Sequence, residues 1–378
     1  MSDRVDVVVL GTGGFGSACL AQLARRGVSV LGLDAFLPGH DRGSSHGDTR
    51  IIRQAYFERP DYVPLLRRAY ELWRELEFES GRALMNLCGL MLAGRPVDEA
   101  VSGSRLAAKI HGVEIQNLSR KEAAERWPGF QLPDGFEVVH EPTAGFLFVE
   151  DSVRSHVDCA VRAGAQVRIG KRVLGWTSNG RTVTIRTDKG TIEAASLVVT
   201  AGAWASQLLQ KVPGLPTLQV LRKVLMWNRV RNQDYSIDQG GCGFLFNMPE
   251  GTFYGFPSLD GATVKIAEHT GGQVVADPLQ VERRLLPSDV APVSEFVRAV
   301  MPSLEPEPVR HATCMYTMSP DSHFIVDRHP EFANVVFGAG FSGHGFKFTP
   351  VIGEALADLA LEGATKLPID FLGLRRFA

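Results

Sequence analysis

Residues 5–16 read Val-Asp-Val-Val-Val-Leu-Gly-Thr-Gly-Gly-Phe-Gly, and this stretch decides the fold. Its apolar first half, Val5 to Leu10, is typical of a buried parallel strand. A Gly-x-Gly-x-x-Gly motif follows and begins a helix that ends at Gly27, and a second strand over 29–33 is closed by Asp34. This order of strand, glycine motif, helix, strand and acid predicts a dinucleotide-binding unit. The glycines allow the backbone to approach a pyrophosphate, whose charge the helix N-terminus favours.

Four residues of this unit are the expected nucleotide contacts. Gly11, Gly13 and Gly16 are the motif glycines, and Asp34 lies 18 residues beyond Gly16, where its carboxylate can accept hydrogen bonds from an adenosine ribose. An acid at this position favours NAD or FAD over NADP, because it binds a free 2′-hydroxyl. Other segments interrupt the nucleotide elements. That interruption favours FAD, since a NAD domain is more often continuous.

Length and charge exclude several classes of function. The chain has 378 residues, which predicts two domains, and its 40 Lys and Arg nearly balance 42 Asp and Glu. A formal charge of −2 gives no polyanion-binding surface, so we expect neither nucleic acid nor a membrane as partner. No stretch approaches the roughly 20 apolar residues that span a bilayer, and the N-terminus lacks a signal-peptide pattern. We therefore expect a cytoplasmic protein.

The cysteine and histidine residues give no sign of a disulfide framework or a metal site. The five cysteines are far apart, no Cys-x-x-Cys pair occurs, and the histidines lack a ligand spacing. The sequence therefore predicts no bound metal and cysteines that are mostly small buried apolar residues.

The rest of the chain divides into two kinds of segment. Apolar spacing and capping residues predict helices over 60–77, from Ser119 to before Pro128, and over 152–163. Strand-like runs occupy 166–169, 183–187, 191–194 and 197–200, and residues 217–317 alternate β-rich runs with Gly and Pro turns. A last strand over 334–337 precedes the glycine-rich segment 338–345 and a helix with Thr349 as N-cap and Pro350 as first residue. The predicted nucleotide domain is discontinuous, over 1–78, 146–216 and 312–378, and a second β-rich domain covers 79–145 and 217–311.

Two positively charged places stand out as candidate binding sites. The four glycines of 338–345, with Lys347 just before a helix, either form a tight turn or present backbone N–H groups to a phosphate or an electron-rich ring edge. Arg50 and Arg53 stand at i, i+3 and are expected to share a helix face, as surface charge or as a clamp for a carboxylate.

Two further pairs occur in strand-like runs. Lys265 and His269 are expected on one face, as a solvated strand face or as a cation with a titratable neighbour at a reacting centre. Cys314 and Tyr316 are two residues apart and point the same way, and Cys314 is either a core residue or a reactive thiol.

Four longer runs give these residues a common context. In order along the chain they are His46–Arg53, Tyr254–Pro257, Cys314–Tyr316 and Gly340–Lys347. With the N-terminal motif, they make the chain similar over essentially its whole length to the monomeric sarcosine oxidase and N-methyl-L-tryptophan oxidase family of FAD-dependent amine oxidases. The resemblance implies an α/β protein with a Rossmann-like FAD-binding domain and a β-rich substrate-binding domain, the glutathione-reductase-related flavoprotein architecture.

The same resemblance implies roles for individual residues. Cys314 matches the position that binds FAD covalently as an 8α-S-cysteinyl thioether, and Lys265 matches the lysine that activates oxygen. The implied catalytic residues are Lys265, His269, Arg50 and Tyr316. The implied substrate-binding residues are Arg53, Lys347, Tyr254 and Leu245. The implied cofactor-binding residues are Gly11, Gly13, Gly16, Asp34, Ser44, Thr49, Arg50, Val173, Gly202, Trp204, Cys314, Gly343, Gly345 and Lys347.

The implied activity is oxidation of an N-methyl amino acid, either sarcosine or a secondary amine like N-methyl-L-tryptophan. Its products are formaldehyde, the free amino acid and hydrogen peroxide, and O2 is the electron acceptor. The resemblance also implies that the enzyme is a monomer. Fructosyl amino acids and cyclic imino acids such as pipecolate remain alternative substrates. A dehydrogenase with a quinone or protein acceptor, a flavoprotein without turnover and a NAD-dependent dehydrogenase are the rival classes.

Overall fold

The computed structural model describes residues 4–378, and its N-terminal unit folds as the glycine motif predicts. Strand β1 (Arg4–Leu10) leads into helix α1 (Gly14–Arg25), and β2 (Val30–Asp34) lies parallel to β1. The remaining strands are β3 (Thr49–Ile52), β4 (Met85–Asn86), β5 (Leu90–Gly94), β6 (Gln116–Leu118), β7 (Glu137–Glu141), β8 (Gly145–Phe148), β9 (Gln166–Ile169), β10 (Val173–Ser178), β11 (Val183–Thr187), β12 (Gly190–Val199), β13 (Gln219–Val230), β14 (Gly243–Met248), β15 (Gly251–Gly255), β16 (Thr263–Glu268), β17 (Gln273–Val274), β18 (Leu304–Met318), β19 (Ile325–Arg328) and β20 (Val335–Ala339). The remaining helices are α2 (Val63–Ser80), α3 (Glu99–His111), α4 (Arg120–Arg126), α5 (Val149–Arg162), α6 (Ala205–Leu208), α7 (Pro287–Val300) and α8 (Thr349–Glu362).

An eight-stranded sheet carries the nucleotide unit. Its parallel centre has the order β9-β2-β1-β12-β20, with β19 antiparallel to β20 and the β10–β11 hairpin on the other half of β12. Val7 and Val9 of β1 pack against the layer of α1, α2, α5 and α8, while Val8 and Leu10 face the other side. Both faces of β1 are therefore covered, which explains its continuous apolar sequence.

A nine-stranded, mostly antiparallel sheet forms the second layer of the protein. Its order is β17-β13-β16-β15-β14-β5-β7-β6, and β18 pairs with β13 along most of its length. One face packs on α4 and α7. The other face meets the small sheet β3-β8-β4 and α3, where Phe146 is fully buried. The predicted α/β fold with a second β-rich part is confirmed.

Three local predictions were wrong. Arg50 lies in β3 instead of a helix, because Ile51 and Ile52 suit a strand that pairs with β8. The runs 191–194 and 197–200 belong largely to one strand, β12. Thr349 is the first residue of α8, after Phe348, and its buried hydroxyl makes no hydrogen bond.

No helix within residues 4–378 is both long and apolar enough to cross a bilayer.

Candidate functional site

A cavity of about 710 Å³ is lined by residues of both large sheets. Its size suits a small-molecule or cofactor site. The sequence-predicted site residues that line it are Gly11, Gly13, Asp34, Ser44, Arg50, Arg53, Val173, Gly202, Trp204, Leu245, Tyr254, His269, Tyr316, Gly343, Gly345 and Lys347. Residues far apart in the chain therefore meet at one place. Gly16, Thr49, Lys265 and Cys314 are the predicted residues that do not line this cavity.

The three motif glycines, Gly11, Gly13 and Gly16, differ in what prevents or allows a side chain at each position. Gly11 has φ +85°, and a Cβ there would lie 2.6 Å from the Thr200 carbonyl oxygen. A Cβ on Gly16 would lie 1.8 Å from the Gly11 oxygen, so this position holds α1 close to β1. Gly13 has only Ser45 Oγ at 4.0 Å and lines the cavity. The backbone at Gly13 is thus exposed to the cavity and can contact a large group, whereas Gly16 is packed against Gly11 and cannot. We call the cavity-lining motif glycines Gly11 and Gly13 the glycine cradle.

Asp34 is held at the end of β2 with its carboxylate at the cavity. It accepts hydrogen bonds from the Thr12 backbone N–H at 2.7 Å and from the Phe36 N–H at 3.0 Å. These bonds fix the carboxylate where the sequence predicts a ribose contact.

The second glycine-rich segment joins β20 to α8 and also lines the cavity. Gly343 has φ +81°, and a Cβ there would lie 2.4 Å from the Tyr316 ring, so only glycine allows the segment to pack against that ring. Ser342 has φ +48° and bonds back to the Gly340 oxygen at 3.0 Å. The segment is therefore a tight turn whose residues also line the cavity, and its role in binding a ligand stays a prediction.

Arg53 is a buried cation with an internal counter-ion. Its guanidinium is paired with both carboxylate oxygens of Glu58, at 2.7 and 2.6 Å, and lies between the rings of Tyr56 and Phe57, 4.3 and 4.2 Å from their centroids. Burial alone would raise the pKa of Glu58, but the charge of Arg53 lowers it to about 2. Glu58 thus stays ionised and pairs with Nη2 of Arg53, so an external carboxylate competes with Glu58 for this nitrogen.

Lys347 is a second buried cation in the same cavity. Its Nζ donates to the His344 carbonyl oxygen at 2.7 Å, and no ion pair with a carboxylate is formed within the described residues. Burial, reinforced by the charge of Arg53 and opposed by Glu58, lowers the pKa of Lys347 to about 7. Together with Arg53 it can supply two donors for one carboxylate.

His269, Tyr254, Tyr316 and Leu245 form a wall of the cavity. His269 follows the end of β16, and its Nδ1 lies 3.4 Å from the Tyr316 hydroxyl. Burial, with the charge of Lys223 second, lowers the pKa of His269 to about 4. The imidazole is therefore neutral at physiological pH and can accept a hydrogen bond from a bound amine.

Lys265 and His269 share a face of the sheet, as the sequence predicts, because Lys265 contacts the Phe256 ring and the Tyr254 ring packs between Phe256 and His269. The Lys265 Nζ donates to the backbone oxygens of Gly47, at 2.5 Å, and Thr49, at 2.7 Å. Lys265 lines a separate cavity of about 550 Å³, while His269 lines the large one. Burial and the charge of Arg50 lower the pKa of Lys265.

Cys314 is buried next to a cation that lines the large cavity. Arg50 Nη2 lies 3.4 Å from its Sγ and also donates to the Ser44 carbonyl oxygen at 3.0 Å. Arg310, four residues before Cys314, pairs with Asp48. Arg50 therefore places a positive charge beside the Cys314 sulfur.

Sequence reasoning missed several residues of the site. Glu58, Phe57 and His344 line the cavity, and Lys223 lies beneath Tyr316. Glu58 and Phe57 follow a strand end, where no periodicity marks them. The sequence pattern assigns no role to His344 within the glycine-rich segment, and it identifies only Lys347, three residues further on, as a candidate binding residue.

The residues present fit an FAD molecule. The Gly13 backbone is open to the cavity, the Asp34 carboxylate is fixed at its edge, and Arg50 brings positive charge toward Cys314. Among residues 4–378, no group of three or more His, Cys, Asp or Glu side chains is placed to hold a metal ion.

Comparison with known proteins supports these observations. Residues 6–359 match the family described as DAO, FAD dependent oxidoreductase. The chain is 41% identical over 379 residues to the monomeric sarcosine oxidase of Bacillus sp. (strain B-0618), covering 100% of this chain and 97% of that one. It is 34% identical over 374 residues to the N-methyl-L-tryptophan oxidase of Yersinia pestis (strain Pestoides F), covering 98% and 99%. Among solved structures, NikD, an unusual amino acid oxidase, superposes with a TM-score of 0.87 at 25% identity over 98% of each chain. The resemblance seen in the motifs is confirmed.

Proposed function

Because the chain belongs to the family of FAD-dependent oxidoreductases, we propose that it is a flavin-dependent oxidase of N-methyl amino acids. The observation that carries the proposal is that two buried cations, Arg53 and Lys347, line the same cavity as the glycine cradle. Two such donors in an enclosed site suit a substrate carboxylate. The relatives named sarcosine oxidase and N-methyl-L-tryptophan oxidase support the same class of substrate.

The side chains of this protein bind and orient the substrate. Arg53 and Lys347 hold the carboxylate, and neutral His269 accepts a hydrogen bond from the secondary amine. Tyr254, Tyr316 and Leu245 exclude water from the reacting methyl group. When bound, FAD accepts the two electrons and the hydrogen removed from the N-methyl group, and O2 takes up the electrons. Water hydrolyses the resulting iminium, so that amine, O2 and water give the free amino acid, formaldehyde and hydrogen peroxide.

We assign the cofactor-binding roles as part of the same proposal. Gly13, Asp34 and the 338–345 segment hold FAD, and Cys314 attaches it through an 8α thioether. Thr49, which fixes Lys265, and Arg50 lie near the flavin ring, and Lys265 activates oxygen. The division into an FAD-binding domain (1–78, 146–216 and 312–378) and a substrate domain (79–145 and 217–311), a monomeric state and a cytoplasmic location also belong to the proposal.

We expect N-methyl amino acids as substrates in preference to fructosyl amino acids. Ile51, Phe57 and Leu245 line the cavity with apolar side chains, which offer no hydrogen bonds to the hydroxyl groups of a sugar.

The visible spectrum of the purified protein tests the proposed function. Without oxygen, a yellow protein should bleach on addition of sarcosine or N-methyl-L-tryptophan and recover its colour in air. A yellow protein that neither substrate bleaches would refute the proposed substrate class. Bleaching without recovery in air would identify a dehydrogenase.

A Glu58→Gln substitution is expected to strengthen carboxylate binding. Removing the internal counter-ion leaves Arg53 free for an external carboxylate, worth about 1.4 kcal/mol, or a tenfold lower Kd. It also leaves a buried cation unpaired, so the free energy of unfolding should fall by about 3 kcal/mol. Acetate and N,N-dimethylglycine, titrated through the flavin spectrum, measure the affinity.

Asp289→Asn is the matched control for Glu58→Gln. Asp289 pairs with buried Arg222 at 2.6 Å and does not line the cavity, so its loss should lower stability without changing carboxylate affinity. If Glu58→Gln binds carboxylates no more tightly than the wild type, Glu58 does not compete for Arg53.

Carboxylate binding is expected to weaken as the pH rises through about 7. The pKa of Lys347 is lowered to about 7, so its ammonium is charged below this pH and neutral above it. A bound carboxylate favours the charged form, which gives a loss of affinity of at most about tenfold per pH unit. Lys347→Met should bind weakly and with little dependence on pH between 6 and 9, whereas Lys366→Met, at an exposed lysine, should match the wild type. A flat wild-type profile would contradict this role for Lys347.

A further inference from the structure

Lys223 is a buried cation that the proposed reaction does not yet use. It lies on β13 with 5% of its surface exposed, and its Nζ donates to the backbone oxygens of Thr270 and Gly271 at 2.5 and 3.2 Å. Within the part of the chain that the structure describes, Lys223 forms no ion pair with a carboxylate. Its neighbour Arg222 points to the other face and pairs with Asp289. Burial of an ammonium without a counter-ion is costly, so its retention calls for a reason.

The strand register directs Lys223 toward the wall of the large cavity. Lys223 is the cross-strand partner of Cys314, so the two side chains share a face of the sheet. Tyr316 lies two residues further along β18 on that face, and the Lys223 Nζ is 5.4 Å from the centroid of its ring. Lys223 is thus in contact with the aromatic side chain that lines the cavity.

Lys223 also holds the turn that directly follows His269. The two carbonyl groups that accept its hydrogen bonds belong to the first two residues after His269. Gly272 has φ +115°, and a Cβ there would lie 3.2 Å from Lys223 Cδ, so the turn closes tightly on the lysine stem. One ammonium group therefore contacts both Tyr316 and the segment that positions His269.

The charge of Lys223 acts on the imidazole of His269 as well. Burial is the largest cause of the lowered pKa of His269, and Lys223 is the second. The other charged groups that face it are Glu58, which raises this pKa, and Lys347 and Arg53, which lower it. The Tyr316 hydroxyl lies 3.4 Å from Nδ1, and the Tyr254 ring centroid is 6.2 Å from that of His269.

We infer that Lys223 is a positioning residue that holds His269 neutral and aligned with Tyr316 for binding of the substrate amine. The inference deepens the proposed function and rests on it for the substrate. The arrangement itself is independent of which N-methyl amino acid binds.

We test the inference by measuring two properties in three variants: Lys223→Gln, Lys223→Arg and the control Arg222→Gln. The first is the titration midpoint of His269, read by NMR of the holoenzyme with labelled histidine and assigned with His269→Asn. The second is the rate of flavin reduction by sarcosine without oxygen, against pH. We expect Lys223→Gln to raise the midpoint by about one pH unit, because it removes a nearby cation. It should also slow reduction on the order of 10-fold to 100-fold through misplacement of His269.

The other two variants separate positioning from simple destabilisation. Lys223→Arg keeps the charge and should restore the midpoint, and Arg222→Gln should lower the melting temperature while leaving midpoint and rate unchanged. An unchanged midpoint and rate in Lys223→Gln would overturn the inference, as would equal changes in Arg222→Gln.

Lys223→Met takes the place of Lys223→Gln if that variant does not fold. A His269 midpoint that rises in Lys223→Met but not in Lys223→Arg would support the inference, and equal midpoints in the wild type and Lys223→Met would overturn it. The titration needs no substrate. If no N-methyl amino acid reduces the flavin, the proposed function fails while the effect of Lys223 on His269 is still measured.

Discussion

A Cys314→Ser variant is expected to lose all covalently attached flavin. After acid precipitation the wild-type pellet should stay yellow, whereas the variant should give a colourless pellet and a yellow supernatant. The thioether needs the Cys314 sulfur as nucleophile, and a serine hydroxyl is far less reactive because it does not ionise in this pH range. Arg50 lies 3.4 Å from the sulfur, so a cation stands beside the atom that is expected to form the thioether.

Cys88→Ser is the control for this experiment. Cys88 is the cysteine that is only partly buried, so it is the accessible alternative site of attachment. Its replacement should leave a yellow pellet. A colourless wild-type pellet would remove the covalent attachment from the proposal and leave the FAD site unchanged.

A Lys265→Met variant is expected to react slowly with oxygen while its flavin is still reduced by substrate. A buried cation stabilises the negative charge that develops on O2, and removal of such a group lowers the rate on the order of 10²-fold to 10³-fold. Reduction by substrate should change only a few-fold, because Lys265 does not line the cavity that holds Arg53 and His269. Stopped-flow measurement of each half-reaction separates the two rates.

Lys265→Arg serves as the control, since it keeps a cation beside the Gly47 and Thr49 carbonyl groups. Its reoxidation rate should lie closer to that of the wild type. Unchanged reoxidation in Lys265→Met would refute the role of Lys265 with oxygen. Equal loss of both half-reactions would show that the lysine mainly supports the structure around Thr49.

The fold could be predicted from the sequence because its strongest signals are local. The run from Val5 to Leu10 and the glycines after it determine a strand, a tight turn and a helix within about 25 residues, and all three are present. The cavity could be predicted in part for the same reason, since the motifs that resemble the oxidase family are short and specific.

Local reasoning failed where pairing with a distant strand decides the structure. Arg50 reads as part of a helical i, i+3 pair with Arg53, yet residues 49–52 are a strand because β8, about 95 residues further on, supplies the hydrogen bonds. Lys265 and His269 share a strand face but line different cavities, and a strand pattern does not show this division.

Partners from distant segments explain the residues that were missed. The contact between Lys223 and Tyr316 depends on the register of β13 against β18, and no periodicity in either strand reveals that register. Glu58 belongs to the site only because it forms an ion pair with Arg53, and this pair lies in the irregular segment after β3.

The glycine cradle belongs to the eight-stranded sheet, whereas Cys314 lies on β18 of the nine-stranded sheet. With the proposed attachment at Cys314, an FAD molecule held at both places would join the two sheets, so neither could unfold without losing contacts to the same group. The free energy of these contacts would then add to the cooperativity between the two halves of the protein. A preparation in which only some chains carry flavin is consequently a mixture of two thermal populations, and a single melting temperature describes neither of them.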